Sequence, residues 1–198
     1  ATQQAVAYAL ERVQSARAGA EDRTPVAIMD HPDVRRMLLR MRSLTEAMRG
    51  LLYYTAGQVD RGDVGDANAR ARAEVLVPML KAWATDTGIE VASLGIQVHG
   101  GMGFVEETGA AQHWRDSRIA PIYEGTNGIQ AADLVTRKLG LEDGEALQKL
   151  FADIARDASD EAQLKALAGE CAAIAKWMRE DASLDDRLAG SVPFTTMC

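Results

Sequence analysis

The stretch PDVRRMLLRMRSLTEAMRGLLYYTAGQVD, residues 32–60, repeats apolar side chains at helical spacing. The residues on this apolar stripe are Met37, Met41, Leu44, Met48, Leu51 and Leu52. Their spacing of three and four residues places them on one face of a single long helix. Asp30 and Pro32 supply an N-cap and a first-turn proline, which favour a helix start here. Helices of this length are common in four-helix bundles, so the stretch predicts a helical bundle.

The rest of the chain follows the same helical pattern. Further helices are predicted at about residues 2–17, 69–87, 89–99, 109–117 and 127–139. Glycines are predicted to end or interrupt helices at three places: Gly88, the GGMG sequence at 100–103, and Gly140. The sequence shows no alternation of apolar and polar residues of the kind that strands produce. We therefore predict an all-α fold, with an up-down helical bundle over residues 1–140.

The last part of the chain, residues 141–198, is more acidic than the rest. Apolar residues at helical spacing predict helices at about 147–158 and 164–178, which form a helical hairpin. The final segment SVPFTTMC is predicted to leave its Val-Pro-Phe exposed, with nothing after it to cover it. Because the chain also begins with Ala1 in a helical pattern, we expect a piece of a longer protein, ending in a truncated helical extension.

The charge balance and the cysteines limit the classes of function. The formal net charge is −7, whereas nucleic-acid binding normally needs a concentrated basic face, so no nucleic-acid partner is predicted. Cys171 and Cys198 give neither a disulfide framework nor zinc-ligand spacing, and Cys171 on an apolar stripe is predicted to be a core residue. This usage suits a reducing, cytoplasmic setting. No apolar run approaches the roughly 20 residues that span a bilayer.

A second stretch, RDSRIAPIYEGTNGIQ at residues 115–130, contains the strongest candidate for a catalytic residue. Glu124 stands between Tyr123 and Gly125, just ahead of a predicted helix start. An apolar slot around a carboxylate raises its pKa toward the range of a general base, and N–H groups at the helix terminus can bind a substrate oxygen. The alternative is a glutamate that only complements the helix dipole. From the residues alone, both roles of Glu124 remain open.

The segment QVHGGMGF, residues 97–104, has three glycines in four positions. Glycine allows the backbone to approach a ligand closely, so this segment could present N–H groups to a phosphate or a flavin. Its spacing matches neither a dinucleotide-binding fingerprint nor a P-loop, and a tight turn between packed helices is the alternative.

Other polar residues are given structural roles. His99 and His113 lack a third ligand at a suitable spacing, so no metal site is predicted. Arg115, Asp116 and Arg118 are predicted to form an ion network that fixes the loop carrying Glu124.

Four segments resemble, in order and spacing, the C-terminal helical domain of acyl-CoA dehydrogenases. They are YALERVQ (8–14), QVHGGMGF (97–104), RDSRIAPIYEGT (115–126) and NGIQ (127–130). The resemblance covers about residues 1–140. The tail, 141–198, resembles the extra region of a long subgroup that includes methylmercaptopropionyl-CoA dehydrogenase-like enzymes. The sequence departs from the family pattern at two places. Many members have Phe-Gly where this chain has Ser15–Ala16, and many have Gln where it has Gly128.

The resemblance implies an FAD-dependent dehydrogenase that converts an acyl-CoA into a trans-2-enoyl-CoA. Glu124 is implied to remove the α-proton, while its own N–H helps to hold the thioester carbonyl. Tyr123 and Gly125 are implied to lie at the substrate. The family also has an N-terminal helical domain and a middle β-barrel, which are outside this chain, so the chain alone is expected to be inactive.

The resemblance also implies cofactor contacts and partners. Arg12 is implied to meet the FAD pyrophosphate across a dimer interface, and Gln97, Gly100 and Gly101 to contact FAD from the partner subunit. Thr126 is implied to contact FAD beside the base. The expected partners are an acyl-CoA substrate, electron-transferring flavoprotein and further copies of the chain in a homodimer or homotetramer. The alternatives are a non-enzymatic helical assembly module and a DNA-binding alkylation-response homologue, which the net charge opposes.

Overall fold

Nine α-helices make up most of the computed structural model, which describes residues 1–198. They are α1 (Thr2–Glu11), α2 (Pro32–Asp63), α3 (Ala67–His99), α4 (Gly101–Phe104), α5 (Ala110–Ser117), α6 (Asn127–Thr136), α7 (Glu145–Asp157), α8 (Ala162–Glu180) and α9 (Leu184–Met197). Short 3-10 helices lie at Ile28–Asp30, Glu106–Thr108 and Lys138–Gly144. The only β pairing is an isolated bridge between Val13 and Ala27. The all-α prediction is confirmed.

Helix α1 ends six residues earlier than the predicted end at residue 17, at Glu11. Arg12 already has an extended backbone, with φ −72° and ψ 112°. The following residues bond to a neighbouring segment instead of continuing the helix: the Gln14 N–H donates to the Val26 carbonyl, and the Val26 N–H donates to the Ser15 carbonyl. Non-local backbone pairing therefore replaces the last helical turns that the local pattern predicted.

Helix α3 runs without a break through Pro78 and Gly88, so the predicted helix end at Gly88 is wrong. Beyond Gly88, the side chains of Val91 and Val98 remain buried. Burial of that helix face outweighs the penalty of about 1 kcal/mol that glycine imposes inside a helix.

The chain forms two compact units, each with its own core. The first unit comprises residues 1–50 and 85–120, and the second comprises residues 51–84 and 121–198. The core of the first unit includes Ala5, Ala9, Ile28, Met37, Leu38, Met41, Val91 and Val98. The core of the second unit includes Val75, Met79, Leu134, Val135, Leu147, Phe151, Cys171, Met178 and Phe194. The buried position predicted for Cys171 is confirmed.

The tail contains one helix more than predicted. Helices α7 and α8 pack against each other as the expected hairpin. Helix α9 follows, capped by the Ser183 hydroxyl, which accepts a hydrogen bond from the Asp186 N–H at 3.1 Å. It packs against α6, and its Phe194 is only 2% exposed. The predicted exposure of the Val-Pro-Phe segment is therefore wrong for its phenylalanine, because α9 turns that side chain into the core.

Candidate functional site

The loop that carries Glu124 is closed by its own backbone. Pro121 is buried, and its carbonyl oxygen accepts a hydrogen bond from the Asn127 N–H at 3.0 Å. Thr126 is the N-cap of α6, since its side-chain oxygen accepts a hydrogen bond from the Ile129 N–H at 3.2 Å. This cap satisfies a donor that the first helical turn leaves free. The predicted helix start near residue 127 is confirmed, and α6 ends at Thr136.

Glu124 has a left-handed backbone, with φ 53°, which is uncommon for a residue other than glycine. Such a conformation costs roughly 1–3 kcal/mol and persists only where the surroundings enforce it. The Glu124 side chain is exposed and makes no hydrogen bond or ion pair within the chain. The predicted apolar slot around it is not formed by this chain alone, because the nearby Ile122, Tyr123 and Ile129 are themselves 51%, 51% and 61% exposed.

Side chains from α3 and α6 enforce the conformation of this loop. The Lys81 ammonium donates to the Gly125 carbonyl oxygen at 2.7 Å and to Asn127 Oδ1 at 3.0 Å. The Asn127 amide donates to the carbonyl oxygen of Ala82 at 3.0 Å. The Gln130 amide reaches the carbonyl oxygen of Glu124 itself at 3.4 Å. The backbone on both sides of the carboxylate is thus held, while the carboxylate stays open to a ligand.

Sequence reasoning missed Lys81. A lysine on the polar side of a long helix is normally solvated, and nothing in its local sequence distinguishes it. Its two acceptors, on Gly125 and Asn127, lie 44 and 46 residues further along the chain. Only the fold brings them together.

The Gly-rich segment combines a packing requirement with an open backbone. A Cβ atom on Gly103 would lie 2.2 Å from the carbonyl oxygen of Ile96, so the tight-turn alternative explains this glycine. A Cβ atom on Gly101 would meet nothing within 4 Å. Gln97, Gly100 and Gly101 are all exposed. Packing therefore does not explain the glycine at 101, which leaves its backbone accessible to a ligand.

Arg12 and Gly100 line the same cavity in the first unit, with a volume of about 260 Å³. The exposed Arg12 guanidinium donates to Gln14 Oε1 at 3.3 Å, and the Arg12 carbonyl accepts a hydrogen bond from the Ile28 N–H at 2.8 Å, which fixes its backbone. A cationic fork beside open glycine backbone is a donor set that suits a diphosphate. Arg12, Gln97, Gly100 and Gly101 belong to the first unit, whereas Tyr123, Glu124, Gly125 and Thr126 belong to the second.

Three further polar residues of the first unit, His99, Arg115 and Asp116, have structural partners. His99 is 5% exposed, and its ring stacks on Tyr8 with centroids 4.4 Å apart, as expected of a core histidine. The predicted ion network is wrong, because Arg115 pairs with Glu106 at 3.4 Å and Asp116 accepts a hydrogen bond from Gln112. Their acceptors and donors come from the neighbouring turns.

The chain contains no group of three or more His, Cys, Asp or Glu side chains that could hold a metal ion. None of its helices combines the length and the apolar character needed to cross a membrane.

Similarity to known proteins extends over almost all of this chain. The family described as "Acyl-CoA dehydrogenase, C-terminal domain" matches residues 1–139. A 3-methylmercaptopropionyl-CoA dehydrogenase of Ruegeria pomeroyi is 46% identical over 98% of this chain, and a butyryl-CoA dehydrogenase of Syntrophomonas wolfei is 38% identical over 76% of it. The first match includes the tail, so the predicted likeness to the long subgroup is confirmed.

The fold is also found in a solved structure. Caenorhabditis elegans ACDH-11 in complex with C11-CoA superimposes with a TM-score of 0.75 at 20% identity, over 96% of this chain and 33% of that one. The chain spans 36% of the Ruegeria protein and 25% of the Syntrophomonas protein, so it corresponds to about a third or less of these relatives.

Proposed function

The chain belongs to the acyl-CoA dehydrogenase family as its C-terminal domain, and on this premise we propose that Glu124 is the base of a full-length acyl-CoA dehydrogenase. The observation that carries the proposal is the left-handed backbone of Glu124, held by its neighbours while its carboxylate has no partner in the chain. A glutamate that served only the fold would have a bonding partner or a less costly conformation. The exposed, positioned carboxylate favours a role toward a ligand.

The proposed reaction begins at the α-carbon of an acyl-CoA thioester. The Glu124 carboxylate takes the α-proton, and the electron pair moves toward the thioester carbonyl. The Glu124 N–H makes no hydrogen bond within the chain and is free to donate to that carbonyl oxygen, which stabilises the developing charge. Tyr123 and Gly125 flank the carboxylate and would contact the substrate. FAD, which Arg12, Gln97, Gly100, Gly101 and Thr126 would hold, would supply the acceptor for the β-hydride, and the product would be a trans-2-enoyl-CoA.

The exposed apolar side chains around Glu124 fit this role. Ile122, Tyr123 and Ile129 are each more than half exposed. In a longer protein, the acyl chain of the substrate or further parts of the polypeptide would cover these side chains and exclude water from the carboxylate. Because the chain spans only part of the length of its relatives, this covering surface is assigned to the full-length protein.

The proposed FAD contacts come from both units. Arg12 would meet the pyrophosphate, and Gln97, Gly100 and Gly101 would offer polar groups and open backbone from a partner subunit of a homodimer or homotetramer. Support comes from the exposure of all four residues and from the cavity that Arg12 shares with Gly100. Thr126 would contact FAD beside the base, and its hydroxyl also caps α6.

Further parts of the proposal concern the full-length protein. Residues 1–140 would be the bundle domain and 141–198 the helical extension. We propose a cytoplasmic enzyme that passes its electrons to electron-transferring flavoprotein, and an isolated chain that is inactive. To test the last point, the 198-residue chain is purified and examined for flavin absorbance and acyl-CoA-dependent dye reduction. Turnover by this chain alone would contradict the proposal.

The decisive experiment is Glu124→Gln in the full-length protein. The neutral amide keeps the shape of the side chain but cannot take a proton, so kcat is expected to fall by about 10²- to 10⁴-fold while flavin absorbance is retained. Glu170→Gln, at an exposed position on α8, is the control and should leave kcat unchanged. Equal activity of the two variants would remove Glu124 from the role of base.

A further inference from the structure

A larger cavity, of about 650 Å³, lies within the second unit. Its walls come from the end of α2, the start of α3, the 3-10 segment Lys138–Gly144 and α7. This volume is in the range of roughly 300–1,000 Å³ that small-molecule sites occupy. None of the residues assigned above to the base, the substrate or FAD lines it. The cavity is therefore separate from the proposed active site.

Gln58 is the observation that points to a ligand here. It lines the cavity and is only 8% exposed, yet its amide makes no hydrogen bond to another residue. No completely enclosed side-chain polar atom of the chain lacks a partner, so the Gln58 amide opens onto the cavity instead of into the core. An amide that faces the cavity without a partner in the chain is available to pair with a bound group.

The charged side chains around the cavity are of both signs. Arg61, Arg72 and Lys149 line it, against the two carboxylates of Glu142 and Asp153. Each cation already has an acidic neighbour, as the Arg61–Asp66 distance of 2.6 Å and the Lys149–Glu142 distance of 3.2 Å show. These pairs hold the cationic side chains in place at the rim, so an anionic ligand would meet ordered donors.

Arg72 and Tyr54 shape one wall of the cavity. The Arg72 guanidinium donates to the Tyr54 hydroxyl at 3.1 Å and to Asp153 at 2.6 Å, and its side chain is only 16% exposed. This fixes the aromatic side chain beside the cavity. The other lining residues include the small side chains Ala69, Ala71, Ala146 and Ala152. An aromatic ring and small apolar side chains together suit a flat ring system.

We propose that this cavity binds a planar heterocycle that carries a phosphate group, of the size of a nucleoside monophosphate. The Gln58 amide can both donate to and accept from polar atoms on the edge of the ring. Arg61 and Lys149 attract the phosphate at the rim. The proposal rests on the second unit alone and does not depend on the function proposed for Glu124.

The test is titration of the 198-residue chain with AMP by isothermal calorimetry, in parallel with adenosine and with inorganic phosphate. AMP is expected to bind, and both other probes to bind at least tenfold more weakly, because each lacks one of the two groups. Gln58→Met keeps the size of the side chain and is expected to weaken AMP at least tenfold. Because Gln58→Met removes an amide without a partner, the melting temperature of this variant should equal or exceed that of the unchanged chain.

Two further variants keep the test decisive. Thr55→Val changes a buried residue one turn earlier, whose hydroxyl bonds to the Leu51 carbonyl and which does not line the cavity; AMP affinity should remain within twofold. Lys149→Met, at an exposed position, should weaken AMP but not adenosine. No saturable AMP binding, equal affinity of adenosine or of phosphate, or unchanged affinity in both Gln58→Met and Lys149→Met would overturn the proposal.

Discussion

The ammonium of Lys81 donates a hydrogen bond of 2.7 Å to the carbonyl oxygen of Gly125, the residue that follows Glu124. A second bond, to Asn127 Oδ1 at 3.0 Å, ties the same ammonium to the first residue of α6. Helix α3 thereby sets the position of the backbone that carries the carboxylate. Lys81 is a positioning residue, since it acts on Glu124 through the loop.

Replacing Lys81 by methionine should loosen this loop. The half-buried carbonyl of Gly125 loses a charged donor, and the free energy of unfolding should fall by about 1.5–3 kcal/mol, measured by urea denaturation. In the full-length protein, kcat should fall more than KM changes, because the proposed base is displaced while other substrate contacts remain. Lys176→Met is the control, since Lys176 is 67% exposed and lies 3.9 Å from Glu180. Equal effects of the two variants would show that Lys81 positions nothing.

The strain at Glu124 can be measured by comparing two variants that both lack the carboxylate. Glu124→Gly accommodates a φ of 53° without a clash, whereas Glu124→Ala does not. The glycine variant should therefore be more stable than the alanine variant, by about 1 kcal/mol or more in thermal or urea unfolding. An alanine variant of equal or greater stability would mean that the left-handed backbone costs little. Neither variant is expected to support turnover in the full-length protein.

The two glycines of the Gly-rich segment should respond differently to a methyl group. In Gly103→Ala, the Cβ would lie 2.2 Å from the Ile96 carbonyl oxygen, so the backbone must shift, and we expect a loss of about 1–3 kcal/mol. In Gly101→Ala, nothing lies within 4 Å, and stability should be equal or slightly higher. Under the proposed function, Gly101→Ala should also weaken FAD binding to the full-length protein, which flavin absorbance would measure. Similar stability of both variants would contradict the packing role of Gly103.

The pair of Arg72 and Asp153 should make stability depend on acid. The hydrogen bond from Arg72 lowers the pKa of Asp153, and Arg156 adds to the effect. A carboxylate whose folded pKa is lowered contributes stability above its unfolded pKa, and that contribution is lost as the pH falls through the folded value. The loss should therefore begin below about pH 4. In urea unfolding at a series of pH values, Asp153→Asn should flatten this acid decline, whereas Asp160→Asn, at an exposed position, should not.

The contribution of α9 to the core can be tested at two of its neighbouring positions. Phe194 is 2% exposed in the core of the second unit, and Phe194→Ala should cost about 3–5 kcal/mol. Val192 is 50% exposed, so Val192→Ala should change the free energy of unfolding by less than about 1 kcal/mol. Equal denaturation midpoints for the two variants would show that α9 is not packed as described.

Helices were predictable from sequence where their apolar pattern is local. Met37 and Met41, the first residues of the predicted stripe, are buried in the first unit, whereas Leu52 at its end is 49% exposed. Helix α9 was missed because Pro193 reads as a helix breaker and its apolar residues lack a continuous stripe. Its stability comes from α6, a partner remote in sequence. The unbroken passage of α3 through Gly88 has a similar origin, because burial of one helix face overrides a local stop signal.

In the candidate site, too, the sequence predicted the features that rest on a local pattern and missed those that depend on the fold. Glu124 and Thr126 could be named from the sequence, because a glutamate beside Gly-Thr at a helix start is a local pattern. The left-handed backbone of Glu124 could not, since glutamate has no preference for it. Lys81 and Gln58 were also missed. A lysine or glutamine on a helix is expected to be solvated. Only the folded chain shows that Lys81 bonds to a distant loop and that Gln58 faces a cavity.

The backbone at position 124 also constrains how this chain can change by mutation. A left-handed φ favours glycine, and a single nucleotide substitution converts a glutamate codon into a glycine codon. Without a functional requirement for the carboxylate, replacement of Glu124 by glycine would relieve the backbone strain of the loop. Under the proposed function, the requirement for a carboxylate at position 124 opposes the conformational preference of the backbone there.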